Sequence, residues 1–345
     1  MSRAGSVDFL CWPRFDSAAC FAALLGTPAH GFWRIAPADP QPRVRRAYRD
    51  GTLVLETAFF TPAGEVALID FMPVGEAGSH LVRLVQGRSG RVKMRLNLTP
   101  RFGYGATRPR ITPLPEEPGI AAVAGPEMVV LRTPLPLRIE ADSAVAGFSV
   151  AAGETVAFVL SHGAGPRPPP GIDAAAALAR TERDWRDWSA RSHCPGPDPA
   201  AVQRSLISLK ALVFSPTGGI VAAPTTSSPE EPGGSRNWDY RYCWLRDSAL
   251  TIQALLRAGQ VEEARAWRDW LHRCLAGPPA QMQIMYGLSG ERLLTEREAG
   301  WLPGYQGARP VRLGNAAHGQ LQLDVYGEVA DALHEARAGG ADPEV

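Results

Sequence analysis

The sequence predicts a multidomain β + α chain: an N-terminal antiparallel β-sandwich, a linker helix, and then a helical domain. Three observations lead there. Up to about residue 165 the apolar residues recur with period two, and strand patterns follow one another with no helical pattern between them. "GAGPRPPPGI", Gly163 to Ile172, then interrupts the chain with a stiff, proline-rich stretch. Beyond Pro199 the apolar period becomes helical. The expected domains are residues 1–165 for the sandwich, 166–195 for the linker and its helix, and 196–345 for the helical part.

Within the first domain, "TLVLETAFF" and "VALIDFMP" read as two strands joined by the turn "TPAGE". "HLVRLVQG" and "RVKMRLNLTP" repeat the arrangement around an expected "RSG" turn, and "MVVLRTPLPLRIE" and "GETVAFVLSHG" add further strands. The linker helix is read from "DAAAALARTERDWRDWSARS", with Asp173 as its N-cap and alanines in its first turns. In "AAVQRSLISLKALVF" a stripe of Val202, Leu206, Leu209 and Val213 predicts the next helix. "RDSALTIQALLRAGQ" and "VEEARAWRDWLHRCL" predict an αα-hairpin divided near Gly259. "GQLQLDVYGEVADALHEA" predicts one more helix, with Leu321, Val325, Val329 and Leu333 on an apolar stripe. Two long loops, residues 215–238 and 277–315, separate these helices, and loops of that length inside a compact domain tend to carry function.

Composition narrows the function classes. Of 345 residues, 45% are hydrophobic and 21% charged, the balance of an ordinary globular protein. A net charge of +1 supplies no field to gather nucleic acid or an acidic membrane, so neither is an expected partner. No apolar run has membrane-spanning length, and a cytoplasmic location is the default. The five cysteines (Cys11, Cys20, Cys194, Cys243, Cys274) form no CxxC pair or Cys/His cluster, and the seven histidines are dispersed. No metal or cofactor is therefore expected.

One stretch stands out, "NWDYRYCWLRDSAL", residues 237–250. In extended chain Trp238, Tyr240, Tyr242 and Trp244 share a face with Arg246, while Asp239, Arg241 and Cys243 take the other. A helix is expected to begin near Arg246 and Asp247, where Asp247 is placed to cap free backbone N–H groups. Aromatic rings beside an Arg and an Asp suit a polyhydroxylated ring, whose C–H faces stack and whose hydroxyls need donors and acceptors. Ordinary packing between helices accounts for the same composition equally well.

"APTTSSPEEPGGSRNWDYRYCWLRDSAL" resembles the central motif of glycoside hydrolase family 15, the glucoamylase-like and bacterial trehalase-like enzymes. "VDFLCWPRFDSAACFAALLG" is similar to the start of their N-terminal domain, and "LPGYQGARPVRLGNAAHGQLQLDVYGE" to a later catalytic-domain motif. The three lie in collinear order over most of the chain. The resemblance implies that the helical part is the first portion of an (α/α)6 toroid. It implies that Arg246 and Asp247 hydrogen-bond the sugar at the non-reducing end and that Tyr240 and Trp244 line that subsite. Tyr305, Arg309 and Arg312 match a segment bordering the pocket, where Arg309 and Arg312 serve equally well as ties between loop and helices.

The resemblance also implies an inverting reaction on an α-glucoside or oligosaccharide, with two carboxyls roughly 6.5–9.5 Å apart acting as acid and base. In the family both are glutamates that follow the "GQLQLDVYGE" helix, so they are expected beyond Val345. No catalytic residue is therefore assigned within the chain, which is expected to be a fragment, inactive alone. Glu230, Glu231, Glu296 and Glu298 lie in the long loops and read as solvated charge rather than substitutes, because an acid needs burial to raise its pKa. Trehalose and malto- or isomalto-oligosaccharides all remain candidate substrates. Two other classes stay open: a non-catalytic carbohydrate-binding protein, and one half of a split enzyme. In the second, the stripe from Leu321 to Leu333 on an unfinished toroid would meet a partner or another copy.

Overall fold

The computed structural model describes residues 1–339. The last six residues of the expected 196–345 domain, and the position expected for the acid and base beyond Val345, lie outside the described residues. Two compact units are present. One comprises Met1–Pro13 with Ser17–Asp187, and the other Arg14–Asp16 with the chain from Trp188 onward.

The first unit is antiparallel throughout. Its strands are β1 (Ser6–Val7), β2 (Leu10–Cys11), β3 (Ala19–Phe21), β4 (Phe32–Pro37), β5 (Arg43–Tyr48), β6 (Leu55–Thr61) and β7 (Gly64–Phe71). There follow β8 (His80–Thr99), β9 (Arg110–Pro113), β10 (Gly119–Ala124), β11 (Glu127–Arg132), β12 (Arg138–Glu140), β13 (Ser143–Ala151) and β14 (Thr155–Gly163). One array runs β5-β6-β7-β8-β14-β11-β10-β9, and β8 also pairs with β4 and β13. The first half of β8 lies between β7 and β14, and its second half, from Arg91, between β4 and β13.

This corrects the expected turn at "RSG": β8 is one strand of 20 residues that passes from one array to the other. Its glycines permit close approach rather than reversal. A Cβ on Gly87 would lie 2.0 Å from the Ala151 carbonyl oxygen, and one on Gly90 2.1 Å from that of Ala63, with Gly90 at φ +64°. One apolar cluster draws on both arrays, with Trp33 and Ile35 from β4 beside Phe59, Leu68 and Leu160 from β6, β7 and β14. A wholly buried Arg83 donates to Asp70 Oδ1 at 2.8 Å and to the carbonyls of Trp33 and Gly5 at 2.9 Å, so no charge is left unpaired there.

Helix α1 (Ala174–Ala190) starts where Asp173 Oδ1 accepts from the backbone N–H groups of Ala175 and Ala176. Ala177 is buried in a cluster with Val54, Ile69 and Val82.

The second unit holds α2 (Pro199–Lys210), α3 (Leu245–Arg257), α4 (Val261–Cys274) and α5 (Asp324–Ala338). The hairpin break is at Gly259, at φ +82°. The expected stripe on the first of these helices is too long by one position. α2 ends at Lys210, and Val213 belongs to a short strand, β15 (Val213–Phe214), paired with β16 (Gly219–Ile220). Backbone bonding from Val221 N–H to the Leu212 carbonyl draws the chain into that ladder. Glu263 on α4 accepts from Lys210 Nζ at 2.5 Å and from Trp188 Nε1 at 2.9 Å, tying α2 and the end of α1 to α4.

The stripe expected to be open on the last helix is corrected in part, since Leu333 is only half-buried. Val325 and Val329 are buried with Ala332 and Ala336, and α5 packs on α3 and α4. Leu321 precedes the helix and is exposed. A polar seam runs beside the buried contact, from Gln253 to Asp331 and from Arg257 to Glu335. Among the described residues no helix is long and apolar enough to cross a membrane.

Candidate functional site

The stretch 237–250 is extended as far as Trp244, but only β17 (Cys243–Trp244) forms a ladder, against β18 (Met285–Tyr286). Tyr242 and Trp244 are buried as well as Asp239, Arg241 and Cys243, so the interior takes charged and aromatic side chains alike from this stretch. Asp239 and Arg241 are 0% and 1% exposed and pair twice, Nε to Oδ1 at 2.8 Å and Nη2 to Oδ2 at 2.6 Å. Every remaining valence found is used for support. Asp239 Oδ2 accepts from Gly314 N–H at 3.1 Å, its carbonyl accepts from Asn315 Nδ2 at 3.1 Å, and Arg241 Nη1 donates to the Phe15 carbonyl at 3.2 Å. Sequence reasoning had passed over this pair. Its one visible signal was the i, i+2 spacing of opposite charges on a single face.

The other face carries the aromatic residues. Tyr242 and Trp244 are buried and Tyr240 is half-buried. Tyr240 and Trp244 lie with ring centroids 6.0 Å apart at 49°, and the Arg246 guanidinium is 6.0 Å from the Trp244 ring. Among the described residues the Trp244 indole N–H is buried without a hydrogen-bond partner. Helix α3 starts at Leu245, so Trp244 holds the cap position and makes no side-chain cap. Asp247 therefore stands in the first turn instead of capping it, where a negative charge favours the helix dipole.

Arg246 and Asp247 remain 41% and 46% exposed, open to a ligand, with Arg246 Nη2 4.0 Å from Asp247 Oδ2. Arg246 Nη1 is shared with Gln322 Oε1 and Asp324 Oδ2, each at 3.3 Å. These two partners, Gln322 before α5 and Asp324 at its first position, were not anticipated. Desolvation raises the Asp247 pKa, opposed by Arg246. The Tyr240 hydroxyl is also raised, by burial first and then by Glu230 and Asp247.

Tyr240, Trp244, Arg246 and Asp247 thus come together. The other three expected site residues are arranged differently. Tyr305 is exposed at a single turn of 3-10 helix, Tyr305–Gly307, and Arg309 Nε donates within the same loop to the Pro303 carbonyl at 3.3 Å. Arg312 lies 4.3 Å over the Trp238 ring, donates to the Ser235 and Asn237 carbonyls, and pairs with Glu296 at 3.3 Å. It ties its loop to the segment leading into Tyr240. Glu296 also accepts from Ala316 N–H, while Glu230 pairs with Arg236 at 2.9 Å. Among the described residues no group of three or more His, Cys, Asp or Glu is placed to hold a metal ion. A small cleft of about 130 Å³ lined by Met282, Tyr286, Arg292 and Tyr326 includes none of the expected site residues.

Comparison with known proteins gives a concordant picture. Residues 1–184 match the family described as Trehalase-like, N-terminal, and residues 196–344 match Glycosyl hydrolases family 15. A trehalase of Mycolicibacterium smegmatis is 35% identical over 97% of this chain and 54% of its own. Trehalases of Mycobacterium tuberculosis and Thermoplasma acidophilum are 34% and 33% identical, over 53% and 58% of their lengths. The chain therefore spans little more than half the length of these relatives. A bacterial glucoamylase solved with acarbose is similar in fold, at TM-score 0.62 and 13% identity over 84% of this chain and 49% of that one. From the two matched segments, in the order that the sandwich-like and helical units follow one another, the chain belongs to the trehalase-like branch of glycosyl hydrolase family 15.

Proposed function

We propose that this chain provides the terminal-glucose subsite of an α-glucoside hydrolase, with trehalose as the first substrate to test. The observation that carries it is the grouping at the start of α3. A tilted Tyr240–Trp244 pair, an unpaired buried indole N–H, a half-open guanidinium and a half-open carboxylate converge there. Rings offer faces to sugar C–H bonds, the indole and Arg246 donate to hydroxyls, and Asp247 accepts from them. The named activity of the trehalase relatives supports the substrate class.

Reaction by inversion would place an acid and a base on opposite ring faces. Arg246, Asp247 and Asp324 are linked to one another, which suits sugar binding, and we assign none of them to proton transfer. On this proposal the start of α3 binds the terminal glucose unit, and hydrolysis is to be measured on a chain of the relatives' full length. The loop that carries Tyr305, Arg309 and Arg312 is proposed to border the pocket.

Isothermal titration of the chain with trehalose and maltose, beside the Arg246→Ala variant, tests the subsite. Binding by the parent and its loss in the variant is the expected result; equal binding by both overturns the assignment. For the full-length protein, proton NMR of early product is expected to show β-glucose released from the α-linked substrate. With trehalose, inversion gives α- and β-glucose in equal amounts, and early product that is α-glucose alone would exclude it.

A further inference from the structure

Three residues distant in sequence are built into the second unit beside this wall. Arg14 pairs with Asp16 at 2.5 and 2.8 Å and reaches Glu291 and Ser289 at 2.9 Å. Asp16 also accepts from Leu288 N–H at 3.4 Å. Between them, the Phe15 carbonyl accepts from Arg241 Nη1. The tripeptide therefore grips two segments. One carries the buried Asp239–Arg241 pair that alternates with Tyr240 and Tyr242. The other, Leu288–Glu291, directly continues the strand Met285–Tyr286 that is paired with Cys243–Trp244. Both strands that fix the ring of Trp244 end in the same clasp.

We propose that Arg14–Asp16 is a positioning strap for the sugar wall: it sets the spacing of Tyr240, Trp244 and Arg246, and sugar affinity depends on it. The inference rests on the proposed glucose subsite. Asp16 and Glu291 hold the Arg14 guanidinium still more firmly protonated than usual. A bidentate arginine–carboxylate fork fixes direction as well as distance, which a lysine does not. The strap works through Arg241 and the 285–291 segment, so its residues are positioning residues and not catalytic ones.

The test uses the whole chain with three substitutions, Arg14→Gln, Arg14→Lys and Glu291→Gln, each measured two ways. Titration with trehalose is expected to weaken roughly tenfold for Arg14→Gln, the size seen when positioning contacts are removed elsewhere. Arg14→Lys should regain part of that loss. Glu291→Gln removes only the outer contact and should fall between parent and Arg14→Gln, so it serves if Arg14→Gln fails to fold. Hydrogen exchange should quicken in peptides covering 239–244 and 285–291 and stay unchanged along α4. Affinity equal to the parent in both Arg14→Gln and Glu291→Gln overturns the strap, as does faster exchange spread evenly over the unit. Should the parent bind neither trehalose nor maltose, the glucose subsite falls. Exchange alone then decides the strap: quickening confined to the two segments supports it, and uniform or absent change overturns it.

Discussion

Asp247 combines two demands that pull in opposite directions. On the proposed reading its carboxylate accepts from sugar hydroxyls most strongly when ionised, while desolvation raises its pKa above the ordinary 3.8. A raised folded-state value means that the group favours folding most at low pH, and that this contribution is lost as pH rises from 3.8 through the folded value. Asp247→Asn is therefore expected to unfold at a higher temperature than the parent above that window and to match it below, in melting curves taken from pH 3 to 7. The same variant should lose trehalose affinity, a trade of stability for function. Asp239 differs because it is fully buried and paired. Asp239→Ala leaves Arg241 without its counter-charge and is expected to cost about 3–5 kcal/mol in denaturant unfolding. Nothing in the sequence distinguished these two aspartates in kind. The alternating pattern was legible, but the burial of the Asp239–Arg241 pair depended on Gly314, Asn315 and Phe15, whose proximity no local pattern announces.

At the scale of elements, local signals succeeded where a local cause operates. Asp173 caps α1 through two backbone N–H groups, and Asp173→Ala is expected to cost about 1 kcal/mol. Gly259 divides the α3–α4 hairpin as its sequence position indicated. The failures are tertiary. "RSG" has turn composition, yet β8 continues through it because the ladder with β7 reaches Gly90 and the ladder with β13 takes over at Arg91. Gly90→Ala is expected to destabilise by more than about 1 kcal/mol, since it adds a Cβ against the Ala63 carbonyl at a positive φ. Chemical denaturation measures both variants. The stripe on α5 was correctly seen as apolar. Its partner, α3, was already in the sequence but not recognisable as such, because helix packing leaves no mark in either helix alone.

For the whole molecule, each unit has its own buried ion pair, Arg83 with Asp70 in the first and Arg241 with Asp239 in the second. Calorimetry is expected to show Asp239→Asn lowering the transition of the second unit alone. Asp70→Asn should lower that of the first. The division itself was only partly legible: the change of period near residue 165 marks the two kinds of architecture, whereas nothing marks residues 14–16 as members of the later one. That membership has a consequence in time. During synthesis the strap leaves the ribosome about 170 residues before Trp188 and its successors, a delay of about 10–30 s at ordinary elongation rates. Arg14 can close on Asp16 at once, but Arg241 and Glu291 arrive later still, so the site's final adjustment waits for them.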